Sequence, residues 1–220
     1  MQKRSEPYQI LCFGDSNTWG LDAQNDRRFP KDIRWTGVLA DQLGRQAHIW
    51  ENGVGGRTTV FDDPSCPERC SKNYLSDALR STIPLDLVIL NLGLNDTKTH
   101  LHTTPQAISD GMEQLIRYVM DPALYVHGAS IPQILLCSPV ILLEDVQERC
   151  PAGGFDSQSV QDVTALSNLY RLLSEKYHCA FLDSAEFASP SSYDGIHLDA
   201  AGHRALGHAI AKEVCNLLNL

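Results

Sequence analysis

Nowhere in this 220-residue chain does an apolar stretch approach the roughly 20 residues that cross a bilayer. Membrane insertion therefore has no support. The start, Met1-Gln2-Lys3-Arg4, is basic, but the apolar run behind it, Gln9 to Phe13, is too short for a signal-peptide core. Basic clusters are lacking as well. With 18 Lys and Arg against 27 Asp and Glu the formal net charge is −9, which disfavours nucleic acid or an acidic membrane surface as partner. A neutral or cationic ligand fits better. No Gly-x4-Gly-Lys-Ser/Thr phosphate loop and no Gly-x-Gly-x-x-Gly run occurs, so nucleotide binding is weakly supported. The Gly-x-Ser-x-Gly elbow is also missing, which argues against the α/β-hydrolase fold. Internal repeats and segments biased enough for disorder are absent.

Seven cysteines are an odd number scattered over expected strands and helices (Cys12, Cys137, Cys179, Cys215) and loops (Cys66, Cys70, Cys150). They read as reduced thiols of a cytoplasmic protein. Cys66 and Cys70 are the only closely spaced pair, and a zinc site would require two further ligands. They are taken as free loop thiols. The length fits one domain, residues 1–220, with a single buried core.

Apolar strand-like runs at Tyr8 to Phe13, Ala47 to Glu51, Leu85 to Leu92, Gln133 to Ser138 and Ala180 to Asp183 alternate with helical patterns. This order predicts a parallel sheet with helices on both faces. Helical stripes run through Trp35, Val38, Leu39 and Leu43; Ile108, Met112, Leu115, Ile116 and Val119; Val163, Leu166, Tyr170 and Leu173; and Leu206, Ile210, Val214 and Leu217. A shorter helix is expected over Asn73 to Ser81. Long irregular connections remain near residues 20–33, 57–72, 121–132 and 140–158, and loops of that length are usually functional or interfacial.

Ligands of such sheets bind beyond the carboxyl ends of the strands. Ser16, Gly55-Gly56, Asn95 and the Asp194-Gly195-Ile196-His197 turn all fall just after an expected strand or before an expected helix. A serine hydroxyl becomes a nucleophile when a held base takes its proton, and the base needs a third group to fix its tautomer. His197 is the candidate base and Asp194 its orienting acid, with Asp199 as N-cap of the helix that follows. An oxyanion requires donors already aimed at it. The backbone N–H of Ser16, at a helix start, the N–H of Gly56 and the side-chain amide of Asn95 are the candidates.

This combination resembles the SGNH (GDSL-type) serine hydrolase family over nearly the whole chain. Ser16, Gly56, Asn95 and His197 match the four letters of the family name, with Asp194 as triad acid. The runs Phe13-Gly14-Asp15-Ser16, Thr18-Trp19-Gly20, Arg34-Trp35-Thr36-Gly37, Gly56-Arg57-Thr58-Thr59, Asp62-Asp63-Pro64 and Asn95-Asp96-Thr97-Lys98 are similar to the arylesterase/acyltransferase branch, which resembles mycobacterial acyltransferases. The resemblance implies a flavodoxin-like three-layer α/β/α sandwich around a central five-stranded parallel sheet. It also implies an acyl-enzyme mechanism without metal or cofactor, small ester substrates, and a homo-oligomer for which an octamer is one possibility. Two departures stand out. Asn17 replaces the leucine or isoleucine that usually follows the serine, and Gly56 stands where the mycobacterial acyltransferase has alanine.

The expected activity is hydrolysis of short-acyl esters of small or aryl alcohols, with acyl transfer to alcohols or peroxide as a further capacity. Deacetylation of sugars, thioester or lysophospholipid cleavage, and a non-catalytic small-molecule binding module are the alternatives. Trp19, Asn17 and Phe155 are candidates for the substrate pocket, Trp19 being equally readable as core. Arg57 is expected in a structural ion pair, with orientation of the Gly56 loop or binding of substrate polar groups as the alternatives, Asp15 as a brace of the nucleophile loop, and Asp96 and Lys98 as scaffold. His100 and His102 read as loop or surface residues, and His203 and His208 as solvent-facing.

Overall fold

A computed structural model describes residues 6–125 and 129–220. The basic residues Lys3 and Arg4, and residues 126–128 of the expected 121–132 connection, lie outside the described residues. Strand β1 (Tyr8–Gly14) is followed by a single helical turn, α1 (Ser16–Trp19), and a small antiparallel hairpin of β2 (Leu21–Asp22) and β3 (Arg27–Arg28). Then come α2 (Trp35–Leu43), β4 (Ala47–Gly53), α3 (Ser71–Thr82), β5 (Leu87–Asn91), α4 (Pro105–Val119) and β6 (Gln133–Ser138). A turn of helix, α5 (Val146–Arg149), precedes α6 (Ser157–Tyr177), β7 (Ala180–Asp183) and α7 (Ala200–Leu218).

Five parallel strands form the main sheet in the order β4-β1-β5-β6-β7. Strand residues alternate between two cores, as the two-residue period of a strand demands. Ile10, Cys12, Leu87, Ile89, Leu135 and Cys137 face α2 and α7, whereas Leu11, Phe13, Val88, Leu90, Ile134 and Leu136 face α3, α4 and α6. Both faces are covered, so these strands are apolar throughout. The expected five-stranded α/β/α sandwich is the observed fold.

The helix starts have local causes. Thr104 accepts from the Ala107 N–H ahead of Pro105, Asp156 forms a capping box with Ser159, and Asp199 accepts from the Gly202 N–H. The third strand is shorter than expected, because Gly93 turns the chain at a φ of 114° just beyond it. β4 is longer, because its pairing with β1 continues to Gly53 opposite Gly14.

That register positions the site. Gly14 pairs with Gly53 on one side and Asn91 on the other, so the carboxyl ends of β1, β4 and β5 are level. The chain reverses its direction of travel across the sheet at β1, which opens a crevice at this edge. The loops carrying Ser16, Gly56 and Asn95 leave the sheet side by side there.

Candidate active site

At the end of β1 the chain must fold back at once to present Ser16. Gly14 permits this: a Cβ there would lie 2.0 Å from Thr18 Oγ1 and 2.7 Å from the Asn91 carbonyl oxygen. Asp15 caps the turn that follows, its Oδ1 accepting from the Asn17 N–H at 2.9 Å. Ser16 is 5 % exposed. Because α1 is one turn long and ends at Gly20, its macrodipole is small. Of the dipole and the unpaired amides that the sequence places at this helix start, a single turn leaves chiefly the amides, the Ser16 N–H among them.

His197 Nε2 lies 2.9 Å from Ser16 Oγ, and its Nδ1 lies 2.5 Å from Asp194 Oδ2. The other carboxylate oxygen, Oδ1, accepts from the N–H groups of Ile196 and His197 at 3.0 Å each. Burial pushes the Asp194 carboxyl up, but hydrogen bonding and charge from His197 outweigh it, so the acid sits below its ordinary value and stays ionised. A carboxylate so held fixes the orientation and tautomer of the His197 ring.

Gly56 adopts a φ of 76° in the turn that Arg57 N–H closes onto the Val54 carbonyl. A left-handed residue here turns the backbone without a Cβ penalty. The Asn95 amide donates to the Arg57 carbonyl at 3.3 Å and meets Asp15 Oδ2 at 3.5 Å. Beneath these donors lies a buried polar layer. Thr59 donates to Asp96 from both its N–H and its Oγ1, and burial raises the carboxyls of Asp15 and Asp96 to about 6 each. Asp96 is thus scaffold, holding the Gly56 loop to the Asn95 turn.

Arg57 corrects the expectation of an ion pair. Its guanidinium donates to the carbonyls of Gly14 and Asn52 and to Asn52 Oδ1, and stacks 4.1 Å over the Phe13 ring. Burial lowers it to about 10 while the Asp15 charge opposes that shift, so it remains cationic. It ties the ends of β1 and β4 to the Gly56 loop. Lys98 and His100 both bind buried Asp63 (3.0 and 2.9 Å), which joins the 57–72 loop to the Asn95 segment. His102 is exposed.

The pocket candidates fall in three different settings. Trp19 is half-buried under the Arg28 guanidinium, 5.6 Å away, which in turn pairs with Glu51 of β4. Phe155 is 5 % exposed and packs with Ile196 and Cys150 around Gly153, behind the His197 loop. Asn17 is buried and turned toward Ile196 and Leu198. His203 departs from its expected exposure. It is fully buried between α7 and α2, edge-on to Phe29, with Nδ1 accepting from the Trp35 N–H at 3.4 Å. The signal lay in its spacing: residues 203, 206, 210 and 214 share one helical face. His208 is exposed as expected. Among the described residues no three His, Cys, Asp or Glu side chains gather as a metal would require, and no helix is long and apolar enough to cross a membrane.

With this geometry in place, residues 12–205 match the model of the GDSL-like lipase/acylhydrolase family. The chain belongs to that family. This GDSL-like hydrolase is similar to Est24, a carbohydrate acetylesterase from Sinorhizobium meliloti, at 38% identity over 96% of this chain and 99% of that one, TM-score 0.86. It is equally similar to the aryl esterase of M. smegmatis, at 38% identity with the same coverage and TM-score 0.85. A further carbohydrate acetylesterase family member from Sinorhizobium meliloti shares 35% identity over 97% of this chain and all of that one, TM-score 0.88. No match was found among curated proteins. Family and neighbours together make the chain a serine esterase, a hydrolase of carboxylic esters.

Proposed function

We propose that Ser16, His197 and Asp194 are the catalytic triad of a serine esterase for short-acyl esters of small or aryl alcohols. The observation that carries this reading is the unbroken relay from Ser16 Oγ through both ring nitrogens of His197 to Asp194. Ser16 Oγ attacks the ester carbonyl while His197 Nε2 takes its proton. The N–H groups of Ser16 and Gly56 and the Asn95 amide hold the oxyanion, each donor contributing on the order of 10²- to 10³-fold in rate. Asn95 would turn one amide hydrogen from its long contact with Asp15 toward that charge. His197 then protonates the leaving alcohol, and water, or an acceptor alcohol or peroxide, resolves the acyl-enzyme.

A second reading, sugar O-acetyl ester cleavage, is favoured by the equal 38% identity to a carbohydrate acetylesterase and an aryl esterase. The same machinery serves both, and the pocket separates them. Residues 1–220 are taken as one such domain. It is further proposed to be a cytoplasmic homo-oligomer, a location supported by seven cysteines that all remain free thiols.

Replacing Ser16 by Ala is expected to abolish p-nitrophenyl acetate hydrolysis and fluorophosphonate labelling. Retention of most activity would overturn the assignment. In the wild type, kcat/KM is expected to fall as the acyl group of p-nitrophenyl esters lengthens. A strong preference for acetylated xylose would establish the sugar reading instead.

A further inference from the structure

Asn17 follows Ser16 directly, yet its side chain does not face outward from the nucleophile turn. Its Oδ1 accepts from the Leu198 N–H at 2.9 Å, and its Nδ2 donates to the Ile196 carbonyl oxygen at 3.3 Å. These two groups belong to the two peptide units that flank the His197 Cα. Holding both planes restricts φ and ψ of His197, and with them the direction in which its ring leaves the backbone. The remaining groups of those units are tied within the loop itself, His197 N–H to Asp194 Oδ1 and the His197 carbonyl to the Ser191 N–H. Those internal bonds shape the loop. Only the Asn17 bonds among these link it to the turn that carries Ser16.

The clamp is rigid at its other end too. The Asn17 N–H donates to Asp15, and Asn17, Ile196 and Leu198 are 5 %, 3 % and 1 % exposed. Water therefore does not compete for these bonds. A leucine, which usually follows the serine in proteins resembling this one, could make neither of them.

We propose that Asn17 is a positioning residue: its carboxamide locks the backbone on both sides of His197 to the residue covalently next to Ser16, and so sets the nucleophile-to-base distance. This rests on the triad reading above. It assigns Asn17 no contact with substrate, in place of the pocket wall expected from the sequence. A displacement of reacting groups by about 1 Å can cost on the order of 10²-fold in rate, so an anchor one residue from the nucleophile has leverage on kcat.

The test compares Asn17→Leu and Asn17→Asp with the parent on p-nitrophenyl acetate, with thermal unfolding and circular dichroism on the same samples. Asn17→Leu is expected to lower kcat roughly 10- to 100-fold, leave KM within about threefold, and slow fluorophosphonate labelling of Ser16 in parallel. Asn17→Asp keeps an acceptor for Leu198 and is expected to fall between parent and leucine. A kcat within about twofold of the parent in folded Asn17→Leu overturns the proposal, as does a change confined to KM. So does a loss that tracks only the folded fraction. If the leucine variant does not fold, Asn17→Asp decides: an intermediate kcat supports the clamp and an unchanged one defeats it. Ser16→Ala separates the two readings. An inactive Ser16→Ala beside a fully active Asn17→Leu removes only the clamp, whereas an active Ser16→Ala removes the triad.

Discussion

His203 places a titratable ring in the interface of α2 and α7, and this has a consequence for pH stability. Burial lowers it from 6.5 to about 4, with the nearby His197 acting in the same direction. The unfolded chain therefore binds a proton that the folded chain refuses between these values. The stability contributed by His203 is full above about pH 6.5 and falls as the pH drops toward 4, by up to about 3 kcal/mol for a shift of this size. Asp15 and Asp96, raised to about 6, act in the opposite sense, since protonation below that value relieves their buried charge. Comparison with His203→Gln isolates the histidine. In urea unfolding at pH 7 and pH 4.5, the wild type is expected to lose about 2–3 kcal/mol more than the variant. Equal losses would show that the ring titrates freely. The expected exposure of His203 failed because a lone histidine reads as polar, while its spacing from Leu206, Ile210 and Val214 places it on the buried stripe.

Among the elements, α1 is the one whose geometry the site depends on most. It is a single turn squeezed between the ends of β1 and β4, and it exists because Gly14 leaves room for Thr18. Gly14→Ala would set a Cβ against Thr18 Oγ1 and, at 2.7 Å, against the backbone oxygen of Asn91, which cannot swing away. The expected result is a loss of about 1–3 kcal/mol from overpacking. The kcat should drop as well, because the turn carrying Ser16 must shift; an unchanged melting temperature and kcat would refute this account. The larger elements were legible beforehand. All five strands and the five long helices stand within a few residues of their apolar patterns, because a sheet covered on both faces imposes continuous hydrophobic runs. The short turns in the long connections were not legible. The β2–β3 hairpin and α5 are too small to carry a period.

For the whole molecule, the same surfaces that frame the site leave large apolar side chains uncovered. Tyr193 and Phe187 are 57 % and 46 % exposed on the stretch that leads into His197, and Val54 is 39 % exposed beside the Gly55-Gly56 turn. Burial of such residues against another copy fits the proposed homo-oligomer. Light scattering after size exclusion is expected to give a multiple of 24.4 kDa. A mass of one chain at micromolar concentration would end the oligomer reading.

Periodicity and turn chemistry are local properties, and they suffice for the layers, the strand and helix content and the order of the site loops. The family resemblance rests on the same local runs. What only the tertiary structure decided are the partners of side chains that reach across the chain. Asn17 finds the backbone of residues 196 and 198, Arg57 finds carbonyls where a carboxylate was expected, and Asp63 gathers Lys98 and His100. Such bonds form between groups tens to nearly two hundred residues apart, several of them backbone atoms common to every residue. No pattern in the sequence can mark which of these will be near, because their proximity is set by how strands of a parallel sheet align at one edge.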